Sequence, residues 1–206
     1  MKRLIIVLIT LFPVAGFAAD PYLVVGLGAS KAQDADQALN KAVDDLESLG
    51  VTVTKSSIDD EDSAGMIGIG GDLSDNVMFE VAYADLGEFD FSVTANGSNV
   101  NGGTKASTAY ASILPHISSG AARLYGRVGA GYWDAEFEAS TPGISVSESD
   151  NGWGPVLGAG VEYNLGRATF DWSIRAEWTR HFGVGESDTT GESDIDIALI
   201  GLVIRN

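Results

Sequence analysis

The chain contains no cysteine, so neither a disulfide nor a thiolate metal site is open to it. Basic residues are scarce: 12 Lys and Arg stand against 29 Asp and Glu, for a formal charge of −17. Nucleic acid needs a basic face, and that balance excludes it as a partner. What the balance describes is an acidic, solvated surface. Long apolar runs are missing as well. The stretch at residues 4–12 is too short for a spanning helix of about 20 residues, and nothing after residue 18 is longer. The one route across a bilayer that remains is a closed β-barrel.

The start of the chain reads as an export leader. Lys2 and Arg3 form a basic region, residues 4–12 an apolar one, and Gly16-Phe17-Ala18 a small-x-small cleavage site before Ala19. Residues 1–18 are therefore expected to be removed, leaving 19–206 as one domain of a length that suits a single all-β unit. Losing Lys2 and Arg3 takes the formal charge from −17 to −19.

Eight segments read as strands: residues 21–30, 65–73, 77–86, 105–116, 122–134, 152–163, 168–181 and 194–205. In the seventh, Phe170, Trp172, Ile174, Ala176 and Trp178 share one face, with Asp171, Ser173, Arg175 and Glu177 opposite. Segment 105–116 has an ambiguous facing because of Pro115 and its many small residues. Short turns at 74–76, 117–121 and 164–167 alternate with long polar loops at 31–64, 87–104, 135–151 and 182–193. That rhythm puts every long loop at one end of an up-and-down barrel and is not expected of a Greek-key sandwich. Within 31–64, Ala35, Ala38, Leu39, Ala42, Val43, Leu46 and Leu49 follow helical spacing, with Asp34 as a start cap and Gly50 as a stop. A short amphipathic helix over the barrel rim is expected there.

Glycine decides which face points inward. Gly129 and Gly131 share the face of Arg127, and Gly158 and Gly160 that of Glu162. On a wet surface those glycines would only weaken the strands. Inside an eight-stranded barrel the space is just wide enough for side chains, and glycine makes room for Arg and Glu. The expected lumen charges are Glu80, Arg127, Glu162, Arg175 and Glu177. Aromatics mark the opposite face: Tyr83, Tyr132 and Trp178 for an outer girdle, Phe79, Tyr163 and Phe170 for an inner one. From Phe170 to Trp178 a tilted strand climbs roughly 20 Å, close to the height of an apolar band flanked by girdles. An Arg facing mid-bilayer lipid costs about 2–4 kcal/mol, which fixes the register through Arg127 and Arg175.

These stretches, DDEDSAGMIGIGG (59–71), NVMFEVAYADLGE (76–88), LYGRVGAGYWDAE (124–136), GAGVEYNL (158–165), IRAEW (174–178) and DIDIALIGLVIR (194–205), resemble in their order the outer membrane protein A-like barrels of Gram-negative bacteria, in their short form. The resemblance implies an all-β fold: an eight-stranded antiparallel up-and-down transmembrane β-barrel in the outer membrane, with a short helix in the first extracellular loop and its chain ends in the periplasm. Larger members carry a peptidoglycan-binding domain after the barrel; this chain stops at the last strand, so wall anchoring is not carried over. Family barrels usually end in an aromatic residue read by the assembly machinery, and Asn206 stands in that place.

The expected role is structural or surface-exposed, with the lumen charges as a salt-bridged plug. A small low-conductance porin is the first alternative and a surface adhesin binding through loops 31–64 and 87–104 the second. Expected partners are outer-membrane lipid, lipopolysaccharide and the outer-membrane assembly machinery, with a monomeric barrel. No enzyme activity, catalytic residue, metal or cofactor is expected. Some eight-stranded outer-membrane barrels act on lipid A with His and Ser, but His116 and His181 lack a Ser partner in either order and read as interfacial residues. Asp59-Asp60-Glu61-Asp62 lacks EF-hand spacing and reads as a solvated loop. Gly26-Leu27-Gly28 and Gly68-Ile69-Gly70-Gly71 lack the Lys and helix of a phosphate loop.

Overall fold

The computed structural model describes residues 19–33, 35–48, 50–167, 170–186 and 192–205. The leader, Asp34, Leu49 and Asn206 lie outside them. Strand alternation is realised in nine strands: β1 Ala19–Ala32, β2 Val53–Asp59, β3 Glu61–Ser74, β4 Val77–Ala95, β5 Ser98–Ser119, β6 Ala122–Thr141, β7 Ile144–Arg167, β8 Asp171–Val184 and β9 Ser193–Arg205, with helix α1 at Ala35–Ser48. β1 pairs with both β3 and β9, and β4 with both β3 and β5, so eight antiparallel strands close a ring. A closed ring leaves no edge inside the barrel, as a bilayer demands.

β2 stands outside the ring and was not legible in the sequence. It pairs with the far end of β4, from Val53↔Ala95 to Asp59↔Asp90, and follows β3 along β4 after a break at Asp60. The helix packs against β2, and Ala35 at its start packs against the buried apolar cluster of the barrel. Gly50, at φ +84°, closes it by donating its N–H to the Glu47 carbonyl at 2.9 Å.

Two of the expected long loops are not loops. β4 and β5 stay paired up to Ala95↔Ser98, with one register shift between Asp85 and Gly87, and β6 and β7 stay paired up to Thr141↔Ile144. Each hairpin closes in two residues. Asn96 and Gly97 (φ +49° and +79°) make a tight turn that matches strand twist, and Pro142-Gly143 ends in φ +90°. Above the ring, β2, β4, β5, β6 and β7 thus form a protruding five-stranded sheet. Among the described residues, 144–155 of β7 pair only with β6, because the β7–β8 ladder begins at Val156↔His181.

At the opposite end the connections are short, as expected. β5 runs to Ser119 and turns at Gly120-Ala121; β7 continues to Arg167 through an irregularity at Asn164/Gly166; β8 starts at Asp171, leaving Phe170 in a bend. The ambiguous strand is settled: Ala106, Thr108, Tyr110, Ser112, Leu114 and His116 point inward. Pro115 faces out, where the β5–β6 ladder skips from Ile113↔Val128 to His116↔Tyr125 because proline offers no N–H.

Candidate functional site: the barrel interior

Alternation places a charged residue inward on strand after strand. Glu80 comes from β4, Arg127 from β6, Glu162 from β7 and Arg175 and Glu177 from β8; all five are buried. Glu80 sits between two guanidinium groups, with Oε1 2.6 Å from Arg127 Nη2 and Oε2 2.5 Å from Arg175 Nη1. Arg127 Nη2 also reaches Glu177 Oε2 at 2.7 Å, and Arg175 Nη2 reaches Glu162 Oε2 at 3.0 Å. Arg205, from β9, extends the chain of pairs by donating Nη2 to both Glu162 oxygens at 2.8 and 3.1 Å. Three arginines and three glutamates therefore balance one another in the interior.

Sequence reasoning missed Arg205 and the hydroxyl-bearing residues that complete the cluster. Arg205 ends its alternation where the chain nearly stops, yet it keeps the inward phase of Val203 and Leu199. The Tyr22 hydroxyl donates to Glu80 Oε2 at 3.0 Å, the Tyr125 hydroxyl to Glu177 Oε2, Thr179 to Glu177 Oε1 at 3.0 Å, and Arg127 Nη1 to Ser112 Oγ at 2.7 Å. The tyrosine rings lie under the cations: Arg127 over Tyr110 at 5.2 Å, Arg175 over Tyr125 at 5.1 Å, and Arg205 over Tyr22 at 4.3 Å.

The glycines do make room, but for these neighbours rather than for the charges themselves. A Cβ on Gly160 would strike the Tyr125 hydroxyl and on Gly131 the Thr108 hydroxyl. On Gly129 it would meet the Ala111 carbonyl and then Ser112, and on Gly158 the Trp178 carbonyl and then Thr179. Tyr125, Ser112 and Thr179 then hydrogen-bond to members of the ion cluster, while Thr108 donates to the Tyr132 carbonyl at 3.3 Å.

The interior has two tiers. Toward the short turns it is ionic, as described. Toward the helix end it turns apolar: Leu86, Phe89, Ala106, Trp133, Ala135, Val156, Val184, Ile195 and Ile197 are all buried. His181 lies between the tiers, edge-on to Tyr110 at 5.3 Å, with neither ring nitrogen hydrogen-bonded. Neither histidine is interfacial; His116 and His181 both face inward, 7% and 2% exposed. Among the described residues, no three His, Asp or Glu side chains converge as a metal site.

The outer face is the apolar complement. Leu27, Ile67, Val81, Ile113, Leu124, Val128, Val161 and Ile200 are exposed there, and so are Tyr83, Tyr132, Tyr163, Phe170 and Trp178. Phe79 is half-buried and lines one outer groove with Phe170, Pro21, Leu23 and Ile69. The acidic run is consumed locally. Lys31 pairs with Asp60 at 3.1 Å and Glu61 at 2.9 Å, while Asp62 Oδ2 accepts the Glu88 backbone N–H at 2.8 Å. That bond and one from the Ser63 N–H hold the Asp62 carboxyl below its usual range.

A closed barrel that is apolar outside and charged and filled inside is the inverse of a soluble protein, and it defines an outer-membrane barrel. The chain belongs to the outer membrane protein beta-barrel domain family, which it matches over residues 4–204. Its location is the outer membrane. No curated protein sequence matches the chain. Among solved structures it is similar to the outer membrane protein OprG of Pseudomonas aeruginosa, at 15% identity and a TM-score of 0.51, over 92% of this chain and 97% of that one. It is also similar to Ail, the attachment invasion locus protein of Yersinia pestis, in complex with the heparin analogue sucrose octasulfate. That match has 15% identity and a TM-score of 0.50, over 91% of this chain and all of that one. At such identities the likeness is one of fold.

Proposed function

We propose that the protein is a non-conducting, non-enzymatic outer-membrane barrel whose role is structural and surface-presenting. The observation that carries this reading is the filled interior. Glu80, Arg127 and Arg175 are at most 1% exposed, and the apolar tier above them leaves ions nothing to coordinate. The pore reading requires both tiers to rearrange. In this role the barrel is a monomer. Tyr83, Tyr132 and Trp178 anchor it at the outer interface and Phe79, Tyr163 and Phe170 at the inner one, against lipid and lipopolysaccharide. The outer-membrane assembly machinery inserts it, reading β9 as the closing strand. Planar-bilayer recording of the refolded barrel tests the reading. Silence is expected; reproducible steps that vanish in Arg127→Ala or Arg175→Ala would establish the pore instead.

A second reading, surface binding, has its own support in the protruding sheet. One face encloses a cavity of about 780 Å³ lined by Asp59, Asp90, Asn101, Glu138, Ser145 and Ser147 among others, without a Lys or Arg. The heparin analogue bound by the Yersinia protein is a polyanion, which this face would repel; a cationic partner fits it. Cells carrying the barrel with residues 90–101 and 138–147 shortened to tight hairpins should lose adhesion to a cationic surface while the barrel still folds. Unchanged adhesion would remove this reading.

A further inference from the structure

At the short-turn end the ionic tier opens into a cavity of about 580 Å³, lined by Asp20, Asp72, Arg123, Glu162, Asp171 and Arg205 among others. Two buried polar atoms there make no hydrogen bond, Asp72 Oδ1 and Arg205 Nη1, and they stand 4.0 Å apart. Arg205 spends its other nitrogen on Glu162 and holds Asp72 only as a long ion pair. Asp72 Oδ1 thus faces Arg205 at ion-pair distance yet accepts no hydrogen bond among the described residues, at the rim of the network.

The residue facing Asp72 across the ladder is Ala19, the first of β1. Paired residues on adjacent antiparallel strands lie about 4.5–5.5 Å apart at Cα. The ladder then breaks between Ala19 and Tyr22, and Asp20 takes φ +53°, a left-handed turn that aspartate tolerates. The chain bends at the cavity mouth, with Asp20 in its lining. Ala19 is also the residue that follows the small-x-small signal Gly16-Phe17-Ala18.

We infer that Asp72 is the receptor for the α-ammonium group created when the leader is removed before Ala19. A hydrolase of the export apparatus adds water across the Ala18–Ala19 peptide bond. The C–N bond breaks, Ala18 leaves as a carboxylate, and the Ala19 nitrogen takes up protons to become an ammonium. That cation donates to Asp72 Oδ1. It ties the first residue of β1 to the Asp72–Arg205–Glu162 series, and so to the last residues of β9, across the seam where the ring closes. Before cleavage the same nitrogen is a neutral amide, and the rim carboxylate lacks this counter-charge. Processing and closure are thereby coupled: the mature barrel holds one ion pair that the precursor cannot form. The inference is independent of whether the barrel conducts or binds.

The test uses the mature protein extracted from membranes. Intact mass should place its first residue at Ala19. An N-terminus-selective aldehyde reagent should then label the folded barrel at neutral pH about tenfold more slowly than it labels Asp72→Asn, since an α-amine with no partner titrates near pH 8 and supplies more free base. A second variant guards against a fold defect. Gly-Ser inserted between Ala19 and Asp20 keeps the cleavage site but moves the ammonium away. It should lower the temperature of the folded-to-unfolded gel transition in wild type and leave Asp72→Asn unchanged. A different first residue, equal labelling rates, or an equal insertion effect in both backgrounds overturns the proposal.

Discussion

Glu80 and Arg175 stand 95 residues apart in the chain and meet at 2.5 Å in the barrel interior. The contact joins β4 to β8, which lie across the ring from each other and share no ladder. It braces the barrel through its centre as the hydrogen bonds brace it around its wall.

Replacing Glu80 with Gln or Ala removes the carboxylate that Arg127 and Arg175 share at the shortest distances and leaves them only Glu177 in common. Truncating one member of a buried ion cluster costs about 3–5 kcal/mol. Urea titration of the refolded barrel, followed by the gel shift, should show that loss. Glu177→Gln should cost less, since Arg127 keeps Glu80 at 2.6 Å.

Gly160→Ala should destabilise by roughly 1–3 kcal/mol, because the new methyl group meets the Tyr125 hydroxyl. Tyr125→Phe in the same chain leaves the ring carbon Cζ in the way and should recover little. Tyr125→Ala removes ring and hydroxyl and should recover part of the loss, even though Glu177 forfeits a donor. Equal, additive losses in the double variant would mean that Gly160 and Tyr125 act independently.

Asp62 should give a pH signature. Its folded pKa lies below the unfolded value of about 3.9, so its contribution is present above that value and fades as pH falls through the lower, folded one. The Glu88 amide resonance should hold steady from neutral pH to about pH 5 and move only in acid. Asp62→Asn should show the acid position already at neutral pH.

Val161→Arg should cost about 2–4 kcal/mol of insertion stability, because Val161 is exposed on the apolar outer face. Ser147→Arg, on the protruding sheet, should stay within about 0.5 kcal/mol. A comparison of folded fractions in vesicles measures both.

Arg127, Arg175 and the alternating aromatics made the barrel and its facing legible, because a charge in mid-strand has few places to go. Arg205 escaped notice since an arginine at a chain end is as readily solvated as paired. The tyrosines that support the cluster look, in sequence, like any girdle residue; Tyr125 and Tyr132 differ only in phase. The protruding sheet was hidden for a different reason. Residues 88–104 and 135–151 do alternate, with Phe89, Phe91 and Val93 and then Ala135, Phe137 and Ala139 at every second position, but their acidic, Ser-, Thr-, Asn- and Gly-rich composition reads as loop. β2 fails the same way, with Thr54, Lys55, Ser56 and Ser57 in a row. The two-residue turns Asn96-Gly97 and Pro142-Gly143 were the available clue, the first a strong hairpin signal and the second a turn signal.

Because β4–β5 and β6–β7 rise from the membrane as ladders rather than coils, their outward growth is quantised. One inserted residue on either arm rotates every side chain beyond it to the opposite face and scrambles what the cell displays. A residue added to each arm of a hairpin lengthens it by a full rung and leaves the faces beneath in phase. The exterior of this protein can therefore diversify by couplets, a rung at a time, while the ion-braced barrel underneath stays the same.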